Sequence, residues 1–188
     1  MPYLFFDTET TGLPKKYNAP IFDLDNWPRL VQIAWMLTDD QGGIISQEEY
    51  IIKPDNFTIP KESSAIHGID DLRAQTVGKE LKDVLDVFNY DLNISNPDLV
   101  AHNIMFDRNV VGSELLRLNI ESNFLNLKTI CTMKESVNFC ALPNKKFPKL
   151  FDLHFKLFNT GFDNAHNALS DVIACYRCFF ELKKRGVL

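Results

Sequence analysis

No stretch of the sequence approaches the roughly 18 consecutive apolar residues that a membrane-crossing helix needs. The longest candidates, such as Val31 to Leu37, are strand-length, so a soluble chain without a membrane partner is expected. The start, Met1-Pro2-Tyr3-Leu4-Phe5-Phe6, lacks a basic region and meets Asp7 and Glu9 at once, unlike a secretory signal. A cytoplasmic protein is the expectation. Cysteine is scarce: 4 among 188 residues argue against a disulfide scaffold. Cys175 and Cys178 have CxxC spacing, but no second ligand pair completes a zinc site, and buried structural thiols are expected. Repeats, low-complexity segments and linkers rich in Pro, Gly or Ser are also missing, which leaves one domain over residues 1–188 as the simplest organisation. Basic charge is in deficit, with 20 Lys and Arg against 25 Asp and Glu. The formal charge of -5 argues against a protein that holds nucleic acid mainly by a cationic surface.

What is present fits an ordinary globular chain, 45% hydrophobic and 24% charged. Tyr3–Phe6, Leu30–Leu37 and Ile44–Ile52 are β-prone runs, the last two joined through Thr38-Asp39-Asp40-Gln41-Gly42-Gly43, so an antiparallel meander is predicted at the front. Between the first two strands, Pro14 to Pro28 is polar and reads as a surface excursion. Glu62–His67 reads as a short helix stopped by Gly68. In Lys79–Leu92, the residues Leu81, Val84, Leu85, Phe88 and Leu92 recur at three or four, which is one buried helical stripe. A strand at Pro97–Ala101, a helix at Met105–Leu118, a strand at Leu127–Cys131, and helices at Leu150–Phe158 and Ala168–Lys184 complete the reading. The order predicts a mixed α/β fold with one sheet between helices.

Three short segments carry acids. Asp7 and Glu9 follow the first apolar run two residues apart, so in extended backbone both point to one side of the sheet. Two bare carboxylates in one place raise each other's pKa, a conflict that a bound metal relieves; a solvated strand end is the other reading. Asp107, in Val100-Ala101-His102-Asn103-Ile104-Met105-Phe106-Asp107, falls in the first turn of a helix, where an acid also suits the helix dipole. In His166-Asn167-Ala168-Leu169-Ser170-Asp171, Asn167 or Ser170 can cap the last helix while Asp171 occupies its first turn.

Taken together, Asp7 and Glu9 in DTETTG, Asp107 in AHNIMFD, and His166 with Asp171 in HNALSD resemble the DEDDh (DnaQ-like) 3′-to-5′ exonucleases, relatives of the proofreading ε subunit of bacterial DNA polymerase III. The resemblance runs over roughly residues 3 to 183. It implies a ribonuclease H-like fold, a mixed five-stranded sheet flanked by helices with the site at the strand ends. It also implies two Mg²⁺ or Mn²⁺ ions, whose preference for hard oxygen ligands the four acids match. In the family pattern Asp7 bridges both ions, Glu9 and Asp171 hold the water-activating one, and Asp107 acts directly or through water. His166 is the candidate general base, since histidine titrates near neutral pH.

Substrate contacts are expected at Thr8, Thr10 and Leu13 beside the first acid pair, where turn chemistry around Gly12 is the competing explanation. ESSAIHG (Glu62–Gly68) resembles the family segment whose acid and histidine lie near the 3′ nucleotide, which implies roles for Glu62 and His67. Asn103 and Phe106 can face the strand, although Phe106 also suits a core. Lys145, Lys146 and Lys149 with Phe147 form the best basic and aromatic cluster, equally readable as a solvated loop. The partner implied is a nucleic acid 3′ end, single-stranded or frayed DNA, with a polymerase as a further partner the resemblance leaves open. An exoribonuclease and an inactive nucleic-acid-binding scaffold are the alternatives, the second disfavoured because no ligand residue is missing. Four of the 25 acids would then lie in one metal site, so strand contact through ions replaces a basic surface.

Overall fold

In the computed structural model, which describes residues 1–188, the chain opens with β1 (Tyr3–Thr10), β2 (Leu30–Thr38) and β3 (Ile44–Ile51). Three helices follow: α1 (Lys61–His67), α2 (Asp71–Val77) and α3 (Leu81–Ser95). Then come β4 (Asp98–Ala101), α4 (Ile104–Arg117), β5 (Thr129–Cys131), two short turns of helix, α5 (Thr132–Glu135) and α6 (Val137–Cys140), and finally α7 (Leu150–Phe158) and α8 (Ala168–Lys184). The five strands form one mixed sheet in the order β3-β2-β1-β4-β5. β1 pairs antiparallel with β2, as does β2 with β3, while β1, β4 and β5 run parallel. The expected mixed five-stranded sheet between helices is therefore observed. No helix is long and apolar enough to cross a membrane.

Alternation along the strands divides the core in two. Leu4 and Phe6 of β1, with Ile33, Trp35 and Leu37 of β2, pack against α3 through Val84, Leu85, Phe88 and Leu92 and against α4 through Val110, Val111 and Leu115. Phe5, Ala34, Met36 and Val100 turn to the other face and meet Val172, Cys175 and Phe179 of α8. Phe5 contacts Phe179 and Tyr176 edge to face, at centroid separations of 5.3 and 5.4 Å. Burying a ring of this kind contributes roughly 1.5–3 kcal/mol. α8 is thereby pinned to the sheet with its N-terminus over the end of β1. The four cysteines are buried and unpaired, as expected, and burial pushes the Cys178 thiol up to about 12.

The boundary that matters for the site is the end of β1. β1 continues through Thr10, so Asp7 and Glu9 stand within the strand instead of after it. Pairing with Ala34 and Gln32 of β2 keeps that polar end extended. The segment from Pro14 to Pro28 lies largely at the surface, as expected, and is tied down by polar contacts. The Asn26 side chain accepts from Lys16 N–H at 2.7 Å and donates to the Lys16 carbonyl at 3.0 Å. Arg117 of α4 donates to the Trp27 carbonyl at 2.8 Å, and Ile21 rests where a Cβ on Gly112 would overlap it. The buried Glu114 carboxylate accepts from Arg29 Nε at 2.9 Å and Leu30 N–H at 3.0 Å, tying the start of β2 to α4.

Candidate active site

β1 and β4 pair only from Tyr3 to Phe5, because β4 ends at Ala101 while β1 runs on to Thr10. Such a parting of parallel strands at their carboxyl ends opens a crevice in an α/β sheet. Thr8 N–H has no strand acceptor there, and Asp107 supplies one. Its Oδ1 accepts from Thr8 N–H at 3.0 Å and from Thr8 Oγ1 at 2.7 Å. Asn103, in the left-handed conformation at φ 70°, turns β4 into α4 and so delivers Asp107 to this point. Asp107 is buried at 3% exposure.

Asp7 and Glu9 project from the opposite face of β1, toward α8. Asp171 lies in the first turn of that helix, and its Oδ2 accepts the His166 backbone N–H at 3.2 Å. Asn167 caps α8, its Oδ1 accepting from Ser170 N–H at 3.0 Å. One potential ligand atom from each of Glu9, His166 and Asp171 lies within 4.8 Å of the other two.

The four acids are in electrostatic conflict. Burial, then the charges of Asp107, Asp171 and Glu9, hold the Asp7 carboxyl well above the usual range. Burial, then Asp171 and Asp107, pushes Glu9 up to about 8. Burial raises Asp107 to about 7 against the opposing pull of its Thr8 hydrogen bonds. Asp171 rises to about 6 by burial, moderated by the His166 N–H. Like charges at close range favour protons or a cation between them. The donor set is all hard oxygen with one imidazole beside it, which suits Mg²⁺ or Mn²⁺ better than a soft metal. On this chemistry, the residues fit the divalent ions that the sequence resemblance implied.

A cleft of about 250 Å³ adjoins the acids and brings Thr8, Thr10, Leu13, His67 and Phe106 together with Glu9 and His166. Leu13 and Ile66 are 73% and 60% exposed, so with Phe106 they offer apolar surface open to an incoming ring. His67 Nδ1 accepts from Ile69 N–H at 3.2 Å. That bond leaves the proton on Nε2, a buried atom, and the Thr10 backbone lies beside the ring. Burial lowers the His67 pKa and keeps the ring neutral.

Two expected contacts lie elsewhere: Glu62 is exposed on α1 and Asn103 sits at the α4 turn, and neither lines the cleft. Phe106 combines both readings, lining the cleft while packing on the main core. Ser63 and Ile66 also line the cleft, and the sequence reading passed over them. Their signal is helical spacing, since Ser63, Ile66 and His67 share one face of α1. The Lys145–Lys149 loop lies outside the cleft. It is tied to the end of β4 through His102, whose Nε2 bonds the Pro148 carbonyl at 2.9 Å, and it leaves Phe147 52% exposed.

Comparison with solved structures finds exonuclease I. A structure of exonuclease I described in terms of its processivity superposes with TM-score 0.78 at 21% identity, over 97% of this chain and 41% of that one. Escherichia coli exonuclease I in complex with a dT13 oligonucleotide gives TM-score 0.78 and 21% identity over 98% and 41% of the two chains. A moderately thermophilic exonuclease I from Methylocaldum szegediense gives TM-score 0.76 and 20% identity over 98% and 40%. The chain thus spans about two fifths of the length of these relatives. No curated protein matches the sequence. A family model described as Exonuclease, of the RNase T type, matches residues 4–179. That stretch contains every acid of the site together with His166, and the chain belongs to this exonuclease family.

Proposed function

We propose that the chain is a divalent-metal-dependent 3′-to-5′ exonuclease that releases nucleoside 5′-monophosphates from DNA 3′ ends. The observation that carries this reading is the convergence of Asp7, Glu9, Asp107 and Asp171, with His166 beside two of them, on a cleft with an apolar rim. DNA is favoured over RNA because exonuclease I, which shares the fold, is seen with a dT13 oligonucleotide.

Asp7, Glu9, Asp107 and Asp171 would hold two Mg²⁺ or Mn²⁺ ions. Bound there, such ions supply Lewis acidity toward the attacking water and neutralise charge on the phosphate oxygens. Thr8 fixes Asp107 by two hydrogen bonds, so that ligand is in place before substrate arrives. The terminal base and sugar rest against Leu13, Ile66 and Phe106, with His67 in the wall of the same cleft. His166 takes a proton from the attacking water on an imidazole nitrogen. The new P–O bond forms as the bond to the 3′ oxygen of the preceding nucleotide breaks, and that oxygen takes up a proton from solvent. The products are a nucleoside 5′-monophosphate and a strand one nucleotide shorter with a 3′-hydroxyl.

The test is digestion of 5′-labelled single-stranded DNA, and of RNA of the same sequence, with Mg²⁺, Mn²⁺ or EDTA. A ladder shortening from the 3′ end on DNA, only with metal and absent in Asp7→Ala, is the expected result. Internal cuts, or cleavage by Asp7→Ala above a mock purification, would overturn it, and faster trimming of RNA would move the substrate to RNA.

A further inference from the structure

His166 sits on an exposed turn with φ 69°, a conformation that a side chain with a Cβ adopts at some cost. Its own backbone N–H reaches Asp171. The two residues that follow are held from outside the acid cluster. Asn167 Nδ2 donates to Glu49 Oε1 at 2.8 Å, and Ala168 N–H donates to Gln32 Oε1 at 3.2 Å. Gln32 Nε2 in turn donates to the same Glu49 oxygen at 2.7 Å. Gln32 is 2% exposed and stands opposite Glu9 in the β1–β2 register, on the face that α8 covers. Gln32, the register partner of Glu9, is thus hydrogen-bonded diagonally to Glu49 of the edge strand, and both side chains reach the residues that follow His166.

Asn167 is used at both ends of its amide, the oxygen capping α8 and the nitrogen on Glu49. An acid on an exposed edge strand is ordinarily just solvated. This one accepts bonds from a buried amide and from a helix cap, which is a restraint and not a surface decoration. Resting on the exonuclease reading above, we propose that Glu49 and Gln32 are positioning residues. Through Asn167 and Ala168 they form a brace that fixes the His166 turn over the scissile phosphate. What the brace uses of Glu49 is an oxygen able to accept two hydrogen bonds, and an amide carbonyl serves as well as a carboxylate.

The decisive comparison is Glu49→Ala against Glu49→Gln, by hydrogen exchange and by steady-state hydrolysis of a single-stranded oligonucleotide. In Glu49→Ala, the amides of Ala168 and Ser170 should exchange faster in the free protein. Its kcat should fall about ten- to a hundredfold, the scale of misplacing a catalytic group, with KM within about twofold. Glu49→Gln should restore both. In a His166→Ala background, Glu49→Ala should cost nothing further in kcat, because it acts through that histidine. Unchanged exchange, a full additional loss in the double variant, or a raised KM at constant kcat would overturn the brace. Exchange is read without substrate: faster exchange in Glu49→Ala with no hydrolysis by the wild type would support the brace and sink the exonuclease reading instead.

Discussion

Asp107 and His166 serve the same site by opposite means. Asp107 is buried in the first turn of a 14-residue helix packed on the larger core, with two hydrogen bonds from Thr8. His166 is exposed, at positive φ, on a turn held by a helix cap and by polar contacts with the two outer strands. One side of the site is thus built as core and the other as a restrained loop. Ligands to an ion benefit from rigid placement, whereas a group that must take up a proton and pass it on benefits from contact with solvent. In the proposed reading Asp107 is the rigidly placed ligand from the α4 side and His166 the solvent-facing proton acceptor, while Asp7 and Glu9 of β1 and Asp171 of α8 complete the acid set between them.

The largest break in that comparison should come from the loop side. His166→Ala leaves core packing untouched and should unfold at the wild-type temperature, yet lose about a hundredfold or more in kcat, the usual range for a general base. Rates near wild type in that variant would remove the proton-transfer role. On the core side, Thr8→Val deletes the 2.7 Å bond to Asp107 while keeping the backbone one and the side-chain shape. At pH 8, where Asp107 is largely ionised, the loss should be about 1.5–3 kcal/mol in urea unfolding, as for a hydrogen bond to a charged group. A smaller loss than that of a surface Thr→Val control would show that Asp107 is held by α4 alone.

The same contrast explains what the sequence could tell. A continuous apolar run marked β2, which is buried on both faces, and an apolar stripe recurring at three or four marked α3, which is buried on one. The acids were legible as a set through the resemblance of DTETTG, AHNIMFD and HNALSD to the exonuclease family, since each segment alone also suits a strand end or a helix start. α2 was not read, since it buries only Ala74 and depends on the Asp70 cap, whose side chain accepts from Arg73 N–H at 2.8 Å. The anchoring of Pro14–Pro28 was hidden as well. It depends on Arg117, Gly112 and Ser113, some 90 positions away, and on polar bonds that leave no periodic trace. Gln32 and Glu49 read as strand residues, and only the register and the α8 cap show them holding the His166 turn.

Four mutually repelling carboxylates arranged to be neutralised by divalent cations should make metal-free stability depend on pH. Glu9, Asp107 and Asp171 have folded-state values of about 8, 7 and 6, above the roughly 4 of an unfolded chain. Between those values the folded protein binds more protons than the unfolded one, so metal-free stability should fall as pH rises from about 4 to about 8. Thermal unfolding in EDTA and in Mn²⁺ across that range should show this fall without metal. It should also show a stabilisation by Mn²⁺ that grows with pH and is lost in Asp7→Ala. Metal-free stability that is flat or rising over the same range, with Mn²⁺ stabilising Asp7→Ala as much as the wild type, would show that the four acids do not hold a cation.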